Sequence, residues 1–345
     1  MQGKDYCDKK GEFMSYLYVS EQGAVISYEA CRFRVKYKNE MVKSVPAETV
    51  ETIQLFGKIQ LTTQCMEECL KRGINVVFYS SNGAYFGRLV SPNHVNVARQ
   101  RIQAALSNDF KMAMARNIIR AKISNQIVIL RRYSRYKTVK CEEEITQMQR
   151  LARKLEGCEK VEEIMGYEGA AARCYFAALG KLIDPDFRFD KRSRRPPKDP
   201  FNSMISLGYS IIMNEIYGKL EGKGLNPYFG VLHQDREKHP TLASDLMEEW
   251  RAVLIDSLTM SLVNGHEIQL EDFNREEDNP GIYLSKKGFK TYINKLEGKL
   301  HADHRYLSYV DYAVSFRRAL DLQVNQFCNA IQSGNPEIYK PIQIR

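Results

Sequence analysis

Apolar and polar positions follow one pattern up to about Pro92 and another pattern beyond it. Between Met14 and Pro92 they mostly alternate, as in GAVISYEACRFRVKYK, or form short β-branched and aromatic runs such as INVVFYS, and both patterns are typical of strands. One stretch, TTQCMEECLKRG, has helical spacing between a threonine cap and the terminal Gly73. The first part of the chain is therefore predicted to be rich in β-structure.

Beyond Pro92 the apolar spacing becomes helical. The stretch VARQRIQAALSNDFKMAMARNIIRAKISNQIVILRRY predicts a long amphipathic helix that is broken near residues 107–109, and most of the remaining chain has the same period. We therefore predict an α+β fold with an N-terminal β-rich domain at residues 14–92 and a larger, all-helical C-terminal domain at residues 93–345. Residues 1–13 are a polar leader of uncertain role.

Composition narrows the class of protein. The 345 residues include 51 Lys and Arg against 42 Asp and Glu, and the net charge of +9 favours a polyanionic partner such as nucleic acid. No apolar run approaches the roughly 18 residues of a membrane span, and no signal-peptide pattern is present, so we expect a cytoplasmic protein that does not bind membranes. The eight cysteines, from Cys7 to Cys328, form no CxxC pair and are expected to be reduced thiols.

Glu168 is a candidate metal ligand. It precedes a run of small and apolar residues in MGYEGAAARCYF, a pattern typical of a helix that is buried on nearly every side. A carboxylate in such a place must be paired or must bind a cation, because burying it alone costs several kcal/mol. The sequence leaves two alternatives open: an ion pair, for instance with Arg173, or a metal ion.

The stretch GVLHQDREKHPTLASDLMEEW brings His233 close to Asp245 and Glu248. Helical spacing from Leu246 onward places the two carboxylates one turn apart on the side opposite the apolar stripe, together with Asp256. They can face a common point, or they can lie on an ordinary solvated face, and a lone histidine is often only a structural hydrogen-bonding group. Two carboxylates and an imidazole would suit Mg²⁺ or Mn²⁺ with open positions for water and phosphate oxygens.

Other catalytic signatures are absent from the sequence. There is no HExxH zinc motif, no phosphate-binding glycine loop of the Walker type and no dinucleotide-binding glycine motif. Phosphoryl chemistry would therefore run without bound ATP, and a divalent ion is the one cofactor that we predict.

Cationic side chains are concentrated in two places. A proline-broken loop before an apolar helix is predicted to contact DNA, because arginine forks suit phosphate groups, although a solvated loop is the alternative. Its candidate residues are Arg188, Lys191, Arg192, Arg194, Arg195 and Lys198, and Arg173 is a further candidate. The polar side of the long helical stretch is a second candidate surface along a DNA backbone, with Arg99, Arg101, Lys111, Arg116, Arg120, Lys122, Arg131 and Arg132.

Three motifs in order, MGYEGAAARCYF, RSRRPPKDPFNSMISLGY and YFGVLHQDREKHPTLASDLMEEWR, resemble those of the CRISPR-associated spacer-acquisition integrase family, which is also described as an endonuclease family. The segment IQLFGKIQLTTQCMEECLKRGINVVFYSSNGAYFGRLV is similar to its N-terminal β domain. The resemblance extends from Met14 to the 330s. It implies a metal-dependent enzyme that inserts short DNA fragments, or spacers, into the CRISPR array by attack of a 3′-hydroxyl on a phosphodiester.

The resemblance also implies roles for individual residues and partners. Glu168, His233 and Glu248 match the catalytic ligands of Mg²⁺ or Mn²⁺, and Asp245 matches a catalytic residue that supports them. A homodimer formed through the β domain is expected, with two dimers on either side of a small bridging CRISPR-associated protein in a heterohexamer. Double-stranded DNA fragments and CRISPR repeat DNA would be the substrates.

Two other functions are compatible with the same residues. A metal-dependent nuclease of the repair type, acting on branched or structured DNA, would use this site with water as the attacking group. A catalytically silent DNA-binding scaffold is the second alternative, but a scaffold has no need for carboxylates that face DNA. The length of the DNA products separates the integrase from the nuclease.

Overall fold

The computed structural model describes residues 15–135, 137, 139–276 and 279–345. The predicted leader, Met14 and Cys7 lie outside the described residues. The chain divides into two compact units between Val95 and Asn96, slightly beyond the change of pattern at Pro92.

The described part of the first unit consists of two four-stranded sheets and one helix. Its elements are Ser15–Val19 (β1), Val25–Glu29 (β2), Arg32–Tyr37 (β3), Glu40–Pro46 (β4), Val50–Phe56 (β5), Gln60–Leu61 (β6), Thr63–Arg72 (α1), Asn75–Tyr79 (β7) and Tyr85–Leu89 (β8). One sheet has the order β1-β5-β7-β8 and the other the order β4-β3-β2-β6. The β-rich N-terminal part predicted from the sequence is confirmed.

Helix α1 begins and ends as its sequence predicts. The side chain of Thr62 accepts a hydrogen bond from the backbone N–H of Cys65 (3.2 Å), and Gly73 ends the helix in the left-handed region at φ 69°. Cys65 and Cys69, one turn apart, are fully buried against the strands. They are free thiols, as are the other five cysteines among the described residues.

The alternating run GAVISYEACRFRVKYK forms two strands rather than one continuous strand. Strands β2 and β3 pair antiparallel around Ala30 and Cys31, which have φ values of 49° and 59°. A two-residue turn with both φ values positive matches the twist of a hairpin, but it usually contains asparagine or glycine. The alternation therefore predicts the strands correctly and conceals the turn between them.

The second unit is mostly helical. Its elements are Val97–Ala104 (α2), Asn108–Ser134 (α3), Glu142–Lys154 (α4), Val161–Leu182 (α5), Pro200–Gly222 (α6), Thr241–Met247 (α7), a π-helical segment Arg251–Asp256, Ser257–Asn264 (α8), Phe273–Glu276 (β9), Asn279–Leu284 (β10), Lys286–Leu300 (α9), Asp303–His304 (β11), Val314–Ser315 (β12) and Phe316–Ser333 (α10). The predicted break near residues 107–109 is confirmed, since Ser107 caps α3 through its side chain. None of the described helices combines the length and the apolar character needed to cross a bilayer.

Two details of the helical prediction are wrong. The second unit is not all-helical, because β9 pairs with β10 and β11 with β12 in two small antiparallel sheets. Helix α5 is not buried on nearly every side: it packs on α3 and α4 through one stripe that includes Ala171, Tyr175 and Leu179, while Arg173 is exposed. Helices α3 and α6 bury most of their residues and form the centre of this unit.

Of the two alternatives for the carboxylates around Leu246, the structure excludes the solvated face. Asp245, Glu248, Glu249 and Asp256 are at most 5% exposed, and a turn followed by the π-helical segment interrupts regular helical spacing between α7 and α8. Each carboxylate therefore points to a different partner, and each is paired or hydrogen-bonded, as burial of a charge requires.

Glu249 holds the last described segment of the chain onto the helical core. Its carboxylate accepts hydrogen bonds from the Tyr339 hydroxyl (2.5 Å) and from the backbone N–H of Ile342 (3.0 Å). Asn125 of α3 donates to the backbone oxygens of Glu249 and Ile342, each at 3.0 Å, and accepts from the N–H of Ile344 at 3.0 Å. Residues 339–344 are thus tied to α3 and to the turn after α7.

We expect Glu249→Gln to make stability less dependent on pH. Burial raises the pKa of Glu249 to about 8, although the hydrogen bond from Tyr339 opposes this rise. Between about pH 5 and pH 8 the folded chain keeps a proton that the unfolded chain has lost, so its free energy of unfolding falls as pH rises, by up to about 1.4 kcal/mol per pH unit. Glutamine keeps one acceptor and one donor but does not titrate.

Urea unfolding at pH 5 to 9, followed by the fluorescence of the buried single tryptophan Trp250, measures this effect. The exposed Glu143→Gln change on α4 is the control and should keep the wild-type slope. Equal slopes for all three proteins would show that Glu249 does not hold this proton.

Candidate active site

Two carboxylates converge on one buried ammonium group in the helical unit. Lys122 of α3 donates from Nζ to Glu168 Oε1 on α5, and also to Glu248 Oε2 in the turn after α7 at 2.5 Å. The side chains of Lys122, Glu168 and Glu248 are 8%, 17% and 6% exposed. Glu168 is thus paired with a cation, but the partner is Lys122 rather than Arg173.

Charge holds this cluster together. Burial favours the neutral amine, but the carboxylates of Glu248 and Glu168 raise the pKa of Lys122 above its ordinary value. Despite burial, Arg251 and Lys122 hold the pKa of Glu248 well below its usual range. Glu248 is therefore ionised and Lys122 protonated at neutral pH.

Arg251 and Tyr209 form the next layer around Glu248. Arg251 lies one turn beyond Glu248, and its Nε is 2.9 Å from Glu248 Oε2. The guanidinium group lies over the ring of Tyr209, 4.5 Å from its centroid, and the Tyr209 hydroxyl donates to Asp256. Asp256 also accepts a hydrogen bond from Tyr175 at 2.9 Å, so its carboxylate supports the site from behind rather than facing it.

Asp245 orients His233. His233 Nδ1 lies 2.6 Å from Asp245 Oδ1, and Asp245 also accepts from the backbone N–H groups of Val231 (2.8 Å), Leu232 (2.9 Å) and His233 (3.2 Å). The hydrogen bond with Asp245 raises the pKa of His233, against the effect of burial. Because Nδ1 donates to Asp245, Nε2 is the nitrogen that can bind a metal ion. The structure therefore places Asp245 behind the histidine as a positioning residue.

Gly230 allows the loop to wrap around Asp245. A Cβ atom at this position would lie 2.5 Å from Thr241 Cγ2, 2.8 Å from the backbone oxygen of His233 and 3.0 Å from Asp245 Oδ2. A side chain at position 230 would push the loop away from α7. The close approach of the loop to α7 is what brings His233 to Asp245. The first residue of the stretch GVLHQD thus has a role that its sequence pattern does not reveal.

The three predicted ligands do not form a ready-made cluster. Across residues 15–135, 137, 139–276 and 279–345, no three His, Cys, Asp or Glu side chains are arranged to hold a metal ion. The ammonium group of Lys122 lies where Glu168 and Glu248 converge. The donor set nevertheless fits Mg²⁺ or Mn²⁺, because the two carboxylates already share one cation and His233 Nε2 is oriented for ligation.

The basic loop between α5 and α6 is largely open to solvent. Its exposed cations are Arg188, Lys191, Arg194, Arg195 and Lys198. Arg192 instead donates to Asn202 Oδ1 (2.8 Å) and Ser206 Oγ (3.0 Å) of α6, and it lies 5.6 Å from the ring centroid of Tyr209. These contacts anchor the loop beside the site, and burial lowers the pKa of Arg192 to about 10. DNA contact by the loop stays a prediction.

The second cationic surface predicted along the long helical stretch is not continuous. Lys122 is buried in the site, and Arg116 donates to the backbone oxygens of Leu155 (3.0 Å) and Cys158 (3.1 Å). Arg120 pairs with Glu156. The prediction of a DNA-tracking stripe is wrong for the buried Lys122, and for Arg116, Arg120 and the other cations of the stretch it stays a prediction.

Known proteins resemble this chain in both sequence and structure. The sequence profile of the family described as "CRISPR associated protein Cas1" matches residues 17–298. The chain is 33% identical over 333 residues to a "CRISPR-associated endonuclease Cas1" of Mycobacterium tuberculosis (strain CDC 1551 / Oshkosh), covering 96% of this chain and 98% of the relative. A Thermus thermophilus relative, "CRISPR-associated endonuclease Cas1 3", is 33% identical over 295 residues, covering 84% of this chain and 86% of the relative.

Among solved structures, a chain of a "Cas6-RT-Cas1--Cas2 complex" matches with a TM-score of 0.85 and 25% identity, covering 100% of this chain and 37% of that longer chain. A CAS1 protein from Thermotoga maritima matches with a TM-score of 0.79 and 23% identity, over 92% of this chain and 97% of the other. A "Casposase bound to integration product" matches with a TM-score of 0.82 and 21% identity, over 93% and 92% of the two chains. The last two matches show a common fold.

Proposed function

The chain belongs to the CRISPR associated protein Cas1 family, and on that premise we propose that it is a metal-dependent DNA integrase and endonuclease. It would insert short double-stranded fragments into CRISPR repeat DNA. One observation carries the proposal: Glu168 and Glu248 converge on a single buried cation beside His233, whose Nε2 is oriented by Asp245.

Glu168, Glu248 and His233 Nε2 would hold Mg²⁺ or Mn²⁺. A bound ion would supply charge stabilisation at the reacting phosphodiester. Asp245 would keep the imidazole in the tautomer that ligates, and Arg251 would keep Glu248 ionised. The donors of Glu168, Glu248 and His233 are oxygen and imidazole nitrogen atoms, which would favour Mg²⁺ or Mn²⁺.

The reaction would be a transesterification. A 3′-hydroxyl oxygen of the fragment would form a bond to the phosphorus at the repeat boundary, while the existing bond from that phosphorus to a 3′-oxygen breaks. The departing oxygen takes up a proton and becomes a new 3′-hydroxyl. One phosphodiester replaces another, which agrees with the absence of any ATP-binding motif in the sequence.

DNA would approach along the basic loop. Arg188, Lys191, Arg194, Arg195 and Lys198 are exposed on the segment that Arg192 anchors beside Tyr209, and Tyr209 contacts Arg251 of the site. Arg173 is exposed on α5, five residues after Glu168. These positions support backbone phosphate contacts near the reacting end.

The proposed assembly contains two homodimers and a small bridging protein; the match to a chain of a "Cas6-RT-Cas1--Cas2 complex" supports a Cas2 partner. The first unit offers apolar surface for dimer contacts. Phe86 on the edge strand β8 is 73% exposed, and Met41 and Val42 on the edge strand β4 are 54% and 46% exposed. Exposed apolar side chains at sheet edges favour association.

The attacking group decides between an integrase and a nuclease. A short duplex with 5′-labelled strands is incubated with supercoiled plasmid that carries CRISPR repeats, in Mn²⁺ or in chelator. One duplex has 3′-hydroxyl ends, and its control has 3′-deoxy ends. We expect label to enter the plasmid only with 3′-hydroxyl ends and only in the presence of Mn²⁺.

Two results would contradict this proposal. Label in shortened fragments, to the same extent for both kinds of end, would mean that water attacks and that the protein is a nuclease of the repair type. Retention of both duplexes on the protein, without any covalent change in Mn²⁺, would instead support the silent scaffold.

A further inference from the structure

A cavity separate from the Glu168 site lies between the C-terminal part of α3, the segment that follows the π-helix, and the β11 region. It has a volume of about 510 Å³, which falls within the range of about 300–1,000 Å³ that small-molecule sites occupy. Cationic, aromatic and hydroxyl side chains line it: Arg132, Tyr133, Ser261, Lys299, His304 and Tyr306. The proposed reaction does not use any of them.

Two cations, Lys299 and Arg132, face this cavity, and no ion pair joins either of them to an Asp or Glu side chain of the described residues; the oxygen that Arg132 contacts belongs to Arg345, the last residue of the sequence. Lys299 donates to the hydroxyl of Ser257, and the structure records no ion pair between Lys299 and any described carboxylate. Arg132 donates to the backbone oxygen of Arg345 and, at 3.5 Å, to the Tyr306 hydroxyl. Burial, with the nearby charge of Arg132, lowers the pKa of Lys299 to about 8. An anion in the cavity would therefore be stabilised by both cations.

The carboxylates near Lys299 do not neutralise this pair. Asp256 is engaged by the hydroxyls of Tyr175 and Tyr209. Asp303 lines the cavity but is exposed to solvent, where its field is weakened. Lys299 therefore keeps its positive charge at the buried end of the cavity without a paired side-chain carboxylate.

The aromatic wall adds an unused donor. His304 Nδ1 accepts from the backbone N–H of Tyr306 at 3.2 Å, so Nε2 carries the proton of the neutral ring. His304 is 8% exposed, and in the described part of the chain its Nε2 has no hydrogen-bond partner. Its ring stacks on Tyr306, with centroids 5.1 Å apart, and lies 4.0 Å from that of Phe316. Flat rings next to surplus donors suit a planar base attached to a phosphate.

We propose that this cavity binds one nucleotide, with its phosphate at Lys299 and Arg132 and its base against the wall formed by Tyr306 and His304. The nucleotide would belong to the DNA strand that the Glu168 site processes, and this part rests on the proposed function. Lys122 and Arg132 are ten residues apart on α3, or about 15 Å along the helix axis. That distance corresponds to about four nucleotides at 3.4 Å each, so the cavity can hold a nucleotide close to the reacting end.

The test measures binding in chelator, so it does not depend on metal or on catalysis. Lys299→Met removes the cation, and Lys290→Met removes an exposed lysine from the same helix as its control. Ser261→Glu adds a negative charge at an exposed position of the wall, and Ser261→Gln is its control for size and for folding. The affinity of each variant for a labelled oligonucleotide is measured at several salt concentrations. In a separate experiment, thermal unfolding with and without dAMP measures how far a free nucleotide raises the unfolding temperature.

For a strand phosphate we expect Lys299→Met to reduce the slope of log K against log salt by about 0.7 to 0.9, the value for one phosphate contact. Ser261→Glu should weaken DNA binding several-fold, while both controls behave as wild type. A second outcome is that dAMP stabilises the wild type but neither Lys299→Met nor Ser261→Glu, while the salt dependence of DNA binding is the same in all of them. The site would then be supported, with a free nucleotide as its ligand.

The proposal is overturned if neither DNA affinity nor dAMP stabilisation distinguishes these variants from their controls. Its failure is separate from that of the proposed function, because strand joining by the wild-type protein is measured independently. If the protein joins strands but its binding does not depend on Lys299, only the cavity proposal is rejected. If binding depends on Lys299 but no strands are joined, only the integrase proposal is rejected.

Discussion

Replacing Glu168 by glutamine is expected to reduce strand joining by more than about 100-fold while DNA binding persists. Loss of an outer-shell partner of a metal ligand costs about 10–100-fold in metal affinity or activity, and loss of a direct ligand should cost more. Glutamine keeps the size of the side chain and one hydrogen bond to Lys122, but it removes one of the two negative charges that converge there. DNA binding should stay equal or become slightly tighter, because a negative charge near the DNA is lost.

Labelled-fragment transfer into plasmid gives the joining rate, and oligonucleotide binding in chelator gives the affinity. Glu162→Gln, exposed two turns earlier on α5, is the matched control and should join at the wild-type rate. Joining by Glu168→Gln within about tenfold of wild type would contradict a ligand role. A parallel loss of DNA binding would assign Glu168 to substrate contact instead.

The parts of the fold that depend on short-range sequence signals, such as alternation, capping residues and a helix-ending glycine, were predictable from the sequence. Alternation identified the strands of the first unit, Thr62 and Gly73 delimited α1, and Ser107 marked the break before α3. The hairpin turn at Ala30 was hidden because its residues are not those that such turns prefer. Strands β9, β11 and β12 were missed because they have only four, two and two residues, and β10 was missed because it begins with Asn279, Pro280 and Gly281, which are rare in strands.

The site was predictable in its acidic residues and in His233, but not in its cations. Glu168, Asp245 and Glu248 were identified through motifs, whereas the turn and the π-helical segment that follow α7, and that place Arg251 and Asp256, are not predicted by a simple helical period. Lys122 was assigned to a solvated stripe because lysine is usually exposed. Its position among Ile118, Ile119 and Asn125, all fully buried, was the available signal that this lysine points inward.

Asp245 shows why a motif alone does not distinguish ligands from supporting residues. It carries a carboxyl group, as Glu248 does, and lies one turn away, yet both of its oxygens are occupied by His233 and by backbone N–H groups. Glu248 instead faces two cationic side chains. Only the three-dimensional environment separates a carboxylate that orients a ligand from one that can bind the ion itself.

The Lys122→Met variant is expected to be unstable in chelator and to be rescued by Mn²⁺. Removing the ammonium group leaves Glu168 without a cation and Glu248 with Arg251 alone, and breaking a buried ion pair from one side costs about 3–5 kcal/mol. A divalent ion between the carboxylates would replace the missing charge. At an ion concentration of about 100 times Kd it would return about 2.7 kcal/mol.

The same substitution should also strengthen Mn²⁺ binding, because an ion entering the wild-type site must displace Lys122 from both carboxylates. Urea unfolding with and without Mn²⁺ measures the rescue, and calorimetric titration measures the affinity. Lys111→Met, earlier on α3 and away from these carboxylates, is the control and should change neither quantity. If Lys122→Met lost the same stability in Mn²⁺ as in chelator and bound Mn²⁺ no more tightly, Lys122 would be a permanent structural counterion. The metal would then have to bind somewhere other than between Glu168 and Glu248.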